Sequence, residues 1–466
     1  MNIENKKVTV IGLGNSGLNA AIALDNIGAF VRVTERADNA DVRKNIERLE
    51  HRDIEIEIGA HTRGFVQSSE LVVVSPGVED ASPPVRWAEE LGIPVISEME
   101  LGFRLCKGRI IGITGTNGKS TVTALIGEIL KEAGFKTVVC GNIGNALCGE
   151  IEGITKDHWV VLEVSSFQLE RTADFRPHIA VILNITDDHQ DRYRSLKRYF
   201  DEKMKIFKNQ DAGDFLVLNH DAPNLRELTA QKAKPKAKTY FYSRTNEKVS
   251  AFIKDAKIIC AFHGRQEEIC GISDIRIKGG HNHENALASS LVAIIAGARP
   301  DSIRDALKRF RGLSHRFETV EIVNGVEFVD DSKSTTVDST LRALESSAKP
   351  VMLIAGGRDK NSDYSAVRDI VRRKVKGLML IGEAKYRIQE ALGELTRVHE
   401  AGTLEEAVAE SFKLAQDGDM VLLSPMCSSF DMFKDYKHRG EAFREAVREI
   451  KNQKSKFKIV ESLKRP

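Results

Sequence analysis

The chain has 466 residues, 41% of them hydrophobic and 29% charged, with a formal net charge of +2. That length accommodates more than one domain, and the near-neutral balance gives no long-range pull toward nucleic acid or an anionic membrane. Six scattered cysteines with no C-x-x-C pair argue against a zinc site and a disulfide framework, and the lack of a leader or of an apolar run of about 18 residues predicts a cytosolic protein with no membrane insertion.

Lys7 to Gly17 reads as a strand running into Gly12-Leu13-Gly14-Asn15-Ser16-Gly17. A helix-like stretch to Gly28 follows, then a strand from Phe30 to Thr34 ending on Glu35. This is the form of a βαβ unit with a dinucleotide-type fingerprint. Alone, the fingerprint suggests a nicotinamide dehydrogenase, but it says only that a diphosphate can lie against a helix N-terminus. Strands are also predicted at Leu71–Val74 and Pro94–Ile96, with a boundary near residue 98.

The pattern then restarts. Ile110, Ile111 and Ile113 form a buried-strand pattern, followed by Gly115-Thr116-Asn117-Gly118-Lys119-Ser120 and helical character from Ser120 to Ala133. A loop so placed turns its backbone N–H groups toward phosphate oxygens. Lys119 suits the terminal phosphates and Ser120 a magnesium ion. The strict G-x-x-x-x-G-K-[ST] spacing is not met, because Ile113 stands five residues before Gly118. Two glycine-rich loops in one chain favour an enzyme that binds two different nucleotides.

Further strands are predicted at Thr137–Val139, Trp159–Leu162, Ile179–Leu183 and Phe215–Leu218, which argues for a mainly parallel sheet. Glu163 ends an apolar strand, where a magnesium-holding carboxylate belongs. A polar cluster around His189 follows the strand ending at Leu183, at the carboxyl end where α/β sites gather. Residues 229–238 read as a basic exposed insertion, a β-rich stretch runs to Ile277, and Glu284 to Ala296 reads as a helix. A third α/β unit has strands at Val326–Val329, Val351–Ile354, Gly377–Ile381 and Met420–Leu423, and Lys451 to Pro466 reads as a frayed tail.

Five segments resemble the Mur ligase family in order and approximate spacing. They are Gly115–Thr121, Leu162–Glu170, Asn184–Tyr193, Gly280-His-Asn-His-Glu-Asn285 and Ser314-His-Arg316-Phe-Glu318. Asp331-Ser-Lys-Ser-Thr335 and the segment from Ser424 to Tyr436 resemble the family's D-glutamate-adding members. A folylpolyglutamate synthetase is disfavoured by the long fingerprint-bearing region before the phosphate loop. The L-alanine-adding members typically have histidine at the position of Asn117. A nucleotide-binding regulator that has lost ligation is the non-enzymatic alternative, and Lys119, Glu163, His189 and Lys203 together argue against it.

The resemblance implies an α/β fold of three domains. These are a Rossmann-like UDP-substrate domain (1–98), a central P-loop-type ATPase domain with a mainly parallel sheet (99–313) and a Rossmann-like amino-acid domain (314–466). It implies ATP-dependent, ADP-forming addition of D-glutamate to UDP-N-acetylmuramoyl-L-alanine through an acyl phosphate in peptidoglycan synthesis, by a monomer with small-molecule partners and no nucleic acid. ATP falls to Gly115, Thr116, Asn117, Gly118, Lys119, Ser120, Thr121, Asn282, Asn285, Arg316, Asp331 and Lys333. Magnesium, at two sites, falls to Ser120, Glu163, His189 and Lys203, with Lys203 carbamylated so that an ammonium becomes an anionic oxygen ligand. The UDP-substrate falls to Asn15, Ser16, Glu35, Ser75, Gly77, Asn142 and His189. D-glutamate falls to Thr335, Lys360, Ser429 and Tyr436, and catalysis to Lys119, Glu163, His189 and Lys203.

Overall fold

The computed structural model describes residues 3–186, 193, 195–227 and 235–463, with side chains to residue 452. Three sheets succeed one another along the chain. The first contains β1 (Lys7–Ile11), β2 (Phe30–Glu35), β3 (Ile54–Ile58), β4 (Leu71–Val74) and β5 (Val95–Ser97). Its order is β3-β2-β1-β4-β5, and every pair is parallel. Leu71 to Val74 are all buried, as a parallel strand covered on both faces requires. Burying each such side chain stabilises the fold by about 1.5–3 kcal/mol. Val8, Val10 and Val73 pack on one face with Leu18 and Leu24, and Ile11, Val72 and Val74 pack on the other with Val85. β3 adds an edge strand whose Ile-Glu alternation leaves it half-buried.

The second sheet contains β6 (Arg109–Thr114), β7 (Thr137–Gly141), β8 (Trp159–Glu163), β9 (Ile179–Ile182), β10 (Phe215–Asn219), β11 (Lys238–Ser243), β12 (Ala251–Lys254), β13 (Lys257–Phe262) and β14 (Arg265–Gly271). The order is β14-β13-β12-β11-β10-β9-β6-β8-β7, parallel except for the pairings of β13 with β12 and β14. The third sheet contains β15 (Glu318–Val323), β16 (Val326–Asp330), β17 (Val351–Gly356), β18 (Val375–Ile381), β19 (Arg397–Glu400) and β20 (Met420–Leu423). Its order is β15-β16-β20-β17-β18-β19, with only β15 antiparallel to its neighbour.

Two expectations need correction. The helix predicted from Glu284 begins earlier, at Gly280. Residues 451–463, read as part of a frayed tail, are the end of one helix that runs from Tyr436 to Leu463. Lys, Glu, Gln and Arg are strong helix formers, and charge alone does not stop a helix.

The chain divides into two compact units. The first is Met1–Ile185, Lys197–Arg276 and Glu284–Phe310, so it carries the first two sheets; the second is Thr186–Leu196, Ile277–His283 and Arg311–Pro466. Among the described residues, no helix is long and apolar enough to cross a membrane.

Candidate active site

In the first sheet the strand order reverses between β1 and β4, and the loops that follow these strands meet there. Open parallel sheets bind ligands at such a switch point. Gly17 allows the close approach: a Cβ there would lie 1.8 Å from the Gly12 carbonyl oxygen. Ser75 Oγ donates to the same oxygen at 3.2 Å. The helix Asn15–Asn26 starts from Gly14 with no side-chain cap, which suits its first N–H groups to an anion. Glu35 braces the loop, accepting from Leu13 N at 2.7 Å and from Ala37 N at 2.8 Å.

A cavity of about 880 Å³ opens here. It brings together Asn15, Ser16, Glu35, Ser75 and Gly77 with Asn142 from the loop after β7. His61 and Gln168 also line it, and sequence reasoning assigned neither. Gln168 had a legible signal, since Ser165-x-x-Gln168 is a capping box and forms one on the helix Ser166–Leu169. His61 had none: it follows an edge strand and packs its Nδ1 2.8 Å from Thr34 Oγ1, and burial lowers its pKa.

In the second sheet β6 lies between β8 and β9, so the loop after β6 sits at another switch point. Gly115 and Gly118 hold φ of +156° and +84°, and the helix Lys119–Glu132 begins directly after them. Asn184, after β9, braces the loop: its carbonyl accepts from Thr116 N at 2.9 Å and its Oδ1 accepts from Asn117 N at 2.8 Å. Lys119 Nζ folds back onto the carbonyls of Gly115 and Thr116, both at 2.8 Å. Ser120 and Thr121 are buried at the start of the helix. Asn285 lies against Gly118, where an added Cβ would come 2.6 Å from its Oδ1.

Glu163 ends β8 beside Ile113 of β6. Its carboxylate is buried; Oε1 accepts from Asn142 Nδ2 at 2.8 Å, and Oε2 has no hydrogen-bond partner among the described residues. Lys203, on the helix Leu196–Met204, is 1% exposed, so it is not a surface lysine. Its Nζ donates to the Gly115 carbonyl at 3.0 Å and lies 4.5 Å from the Tyr199 ring centre. Tyr199 OH in turn is 3.4 Å from Thr116 Oγ1, a loop contact that no motif announced. Lys119 and Lys203 thus bond the loop itself, Ser120 follows it at the start of the helix, and Glu163 ends the strand beside the one that leads into it. A hydroxyl and a carboxylate with a buried, unpartnered oxygen fit a hard cation such as magnesium. His189 lies outside the described residues.

In the third sheet the loops after β16, β20 and β17 adjoin. Met426 N donates to the Ser334 carbonyl at 3.0 Å, Arg358 N to the Ser428 carbonyl at 2.9 Å, and Ser332 Oγ to the Tyr436 carbonyl at 2.8 Å. These bonds gather the segments bearing Asp331, Lys333, Thr335, Lys360, Ser429 and Tyr436. Lys333 Nζ lies 3.9 Å from the Tyr436 ring centre, and Ser429 is 2% exposed. Asp331 accepts from Phe317 N at 3.1 Å and from Ser424 Oγ at 2.9 Å. Burial pushes its carboxyl up to about 7, although these bonds and the Arg316 charge pull the other way. Asn282 donates to the Lys278 carbonyl at 2.8 Å, within this second unit, whereas Asn285 belongs to the first.

Arg439 was not predicted. It is 1% exposed and donates to Ser332 Oγ and to the carbonyls of Ser332 and Cys427, tying two of the loops together. Burial brings its guanidinium down to about 10. Cys427 is a structural thiol, buried beside Tyr364 OH and pushed up to about 12.

Three family models match the chain. They are a Mur ligase MurD-like N-terminal domain over residues 6–97, a Mur ligase middle domain over 113–293 and a Mur ligase glutamate ligase domain over 315–427. The chain is 44% identical over 451 residues to the UDP-N-acetylmuramoylalanine–D-glutamate ligase of Geotalea uraniireducens, covering 97% of this chain and 99% of that protein. It is 41% identical over 457 residues to the protein of the same name from Koribacter versatilis, covering 98% and 100%. Among solved structures, the UDP-N-acetylmuramate-alanine ligase of Thermotoga maritima is similar in fold, with a TM-score of 0.61 at 18% identity, covering 95% of this chain and 99% of that one. The MurF ligase of Thermotoga maritima in complex with ADP is similar with a TM-score of 0.58 at 16% identity, covering 96% of each.

Proposed function

This chain belongs to the Mur ligase family, and from that premise we infer that it is an ATP-dependent, ADP-forming ligase that adds D-glutamate to UDP-N-acetylmuramoyl-L-alanine in peptidoglycan synthesis. The observation that carries the reading is the pair of glycine-rich loops. One borders a cavity of about 880 Å³, and the other is bonded by Lys119 and Lys203 and follows the strand that pairs with the one ending on Glu163. A dehydrogenase needs only the first.

The reading assigns the UDP-sugar to residues 1–98, ATP to 99–313 and D-glutamate to 314–466. Its chemical problem is charge, since a carboxylate must attack a polyanion. Lys119 leaves the loop carbonyls it now bonds and neutralises the terminal phosphates, which the amides of Gly115 to Ser120 cradle. Ser120 and Glu163 would hold one magnesium, and His189 with a carbamylated Lys203 would hold a second. Magnesium, when bound, draws charge from the phosphate oxygens and lowers the barrier to attack. Carbamylation suits Lys203 because burial favours the neutral amine, the form that adds carbon dioxide, and because the anion so formed offsets the charge of Lys119, which shares the Gly115 carbonyl with it. Asn15, Ser16 and the start of the helix Asn15–Asn26 take the UDP diphosphate, with Glu35, Ser75, Gly77 and Asn142 around it. Asn282, Asn285, Arg316, Asp331 and Lys333 complete the ATP contacts. Thr335 and Lys360 take the α-carboxylate of D-glutamate, and Ser429 with Tyr436 the side-chain carboxylate, two donor groups at separated points for a dicarboxylate.

The test is amino-acid selectivity. Phosphate release by the purified chain with ATP and the UDP-sugar should be stimulated by D-glutamate and not by L-alanine, L-lysine or meso-diaminopimelate. Stimulation by another of these would assign the chain to a different ligation step.

A further inference from the structure

We propose that Asn142 is a positioning residue for the Glu163 carboxylate, holding one oxygen in place so that the other is presented to a divalent cation; this rests on the magnesium reading of Glu163 given above. The backbone makes the contact obligatory. Gly141 ends β7 directly opposite Glu163 of β8, and its φ of +107° turns the chain sharply. A Cβ on Gly141 would lie 2.3 Å from the Glu163 carbonyl oxygen, so only glycine allows the approach. That oxygen accepts from Asn142 N at 2.9 Å, while Gly141 N donates to the Asn145 carbonyl at 2.8 Å. Asn142 is therefore fixed at its backbone before its side chain reaches the carboxylate.

The side chain then donates Nδ2 to Glu163 Oε1 at 2.8 Å. Glu163 is 2% exposed, and its Oε2 is buried and unpartnered among the described residues. A neutral amide fixes the carboxylate's rotation without cancelling its charge, as a lysine or arginine partner would. A buried oxygen left without a donor is costly unless something binds it. A cation bound there makes sense of both the missing donor and the choice of an amide as partner. Ligands of metal ions are generally held by such outer groups, and losing one typically weakens metal binding by about 10–100-fold. Asn142 also lines the cavity beside the first glycine-rich loop. With one Nδ2 hydrogen committed to Glu163, the amide keeps its second N–H and its carbonyl oxygen for the molecule bound there.

The probe is Mn²⁺ with ADP, read by calorimetry on the full chain. ADP affinity measured with Mn²⁺ and again with EDTA gives the enhancement that the metal confers. Asn142→Ala should lose about tenfold of that enhancement while ADP affinity in EDTA stays unchanged. Asn142→Ser, whose hydroxyl is too short to reach the carboxylate, should behave alike and is the milder variant for folding. Glu163→Gln should abolish the enhancement, and adding Asn142→Ala to it should change nothing further. An unchanged enhancement in Asn142→Ala and Asn142→Ser, or an equal loss of ADP affinity with and without metal, would overturn the positioning role while leaving Glu163 as the ligand. Full enhancement in Glu163→Gln would instead overturn the magnesium reading itself, and the proposal with it.

Discussion

Replacing Gly17 by alanine tests the proposal that the two nucleotides bind at separate glycine-rich loops. In a helix, alanine is favoured over glycine by about 1 kcal/mol, so propensity alone predicts a more stable protein. The structure predicts the opposite sign. The new Cβ would sit 1.8 Å from the Gly12 carbonyl oxygen and 2.9 Å from Ser75 Oγ, whereas real Cβ contacts essentially never fall below 3.0 Å. The nearer clash is with backbone, which no side-chain rotation relieves. The helix Asn15–Asn26 must move off the β1 loop by about an ångström, and overpacking of this kind costs about 1–3 kcal/mol. A displacement of that size at a binding site is also worth about a hundredfold in function. Thermal unfolding and calorimetry give the readouts: Gly17→Ala should melt earlier and bind the UDP-sugar far more weakly, with ADP affinity unchanged. Gly14→Ala is the control, since its Cβ meets nothing within 4 Å and its φ is −74°. It should lose at most about 1 kcal/mol, as a poorer N-cap. Equal melting of Gly17→Ala and wild type, or a parallel loss of ADP binding, would refute the packing argument or the separation of sites.

Asp331 predicts a pH effect on stability. Its carboxyl, raised to about 7 by burial, keeps its proton in the folded chain over a range where the unfolded chain has released it. Wild-type stability therefore falls as pH rises from about 4 to about 7, by at most about 1.4 kcal/mol per pH unit. Asp331→Asn removes that dependence, so its melting temperature should exceed wild type at pH 8 and not at pH 4; a constant difference across the range would contradict this. Lys203→Ala should be nearly inactive and partly rescued by a small carboxylate. Lys205→Ala, whose amine pairs with Glu202 and the Glu170 carbonyl, should lose much less, and activity should fall when bicarbonate is depleted. Activity retained in Lys203→Ala would remove the carbamate assignment.

The fold was legible wherever burial on both faces leaves an unbroken apolar run. Met420–Leu423 and Leu71–Val74 match their predicted limits for that reason. The edges were harder to read, because a half-buried strand such as Ile54–Ile58 carries alternating glutamates that look like surface. The loop residues were legible because glycine spacing reports backbone geometry directly, as at Gly12, Gly17, Gly115 and Gly118. The residues that hold the loops were not. Tyr199 and Arg439 lie far along the chain from Thr116 and Ser332, which they contact, and their burial depends on packing that no local pattern encodes. Lys203 stands between these cases. Its position came from a family motif, and only the fold distinguishes it from Lys205 two residues on, at 1% exposure.

The central claim is that ATP activates the carboxylate of the UDP-sugar for amide formation with D-glutamate. Heavy-oxygen labelling of that carboxylate tests it most directly, with mass spectrometry of the phosphate and of the nucleotide-sugar product. The account predicts one labelled oxygen transferred to inorganic phosphate for each amide formed, and product only when D-glutamate is present. Unlabelled phosphate, or label found in phosphate with no D-glutamyl product when D-glutamate is supplied, would contradict it.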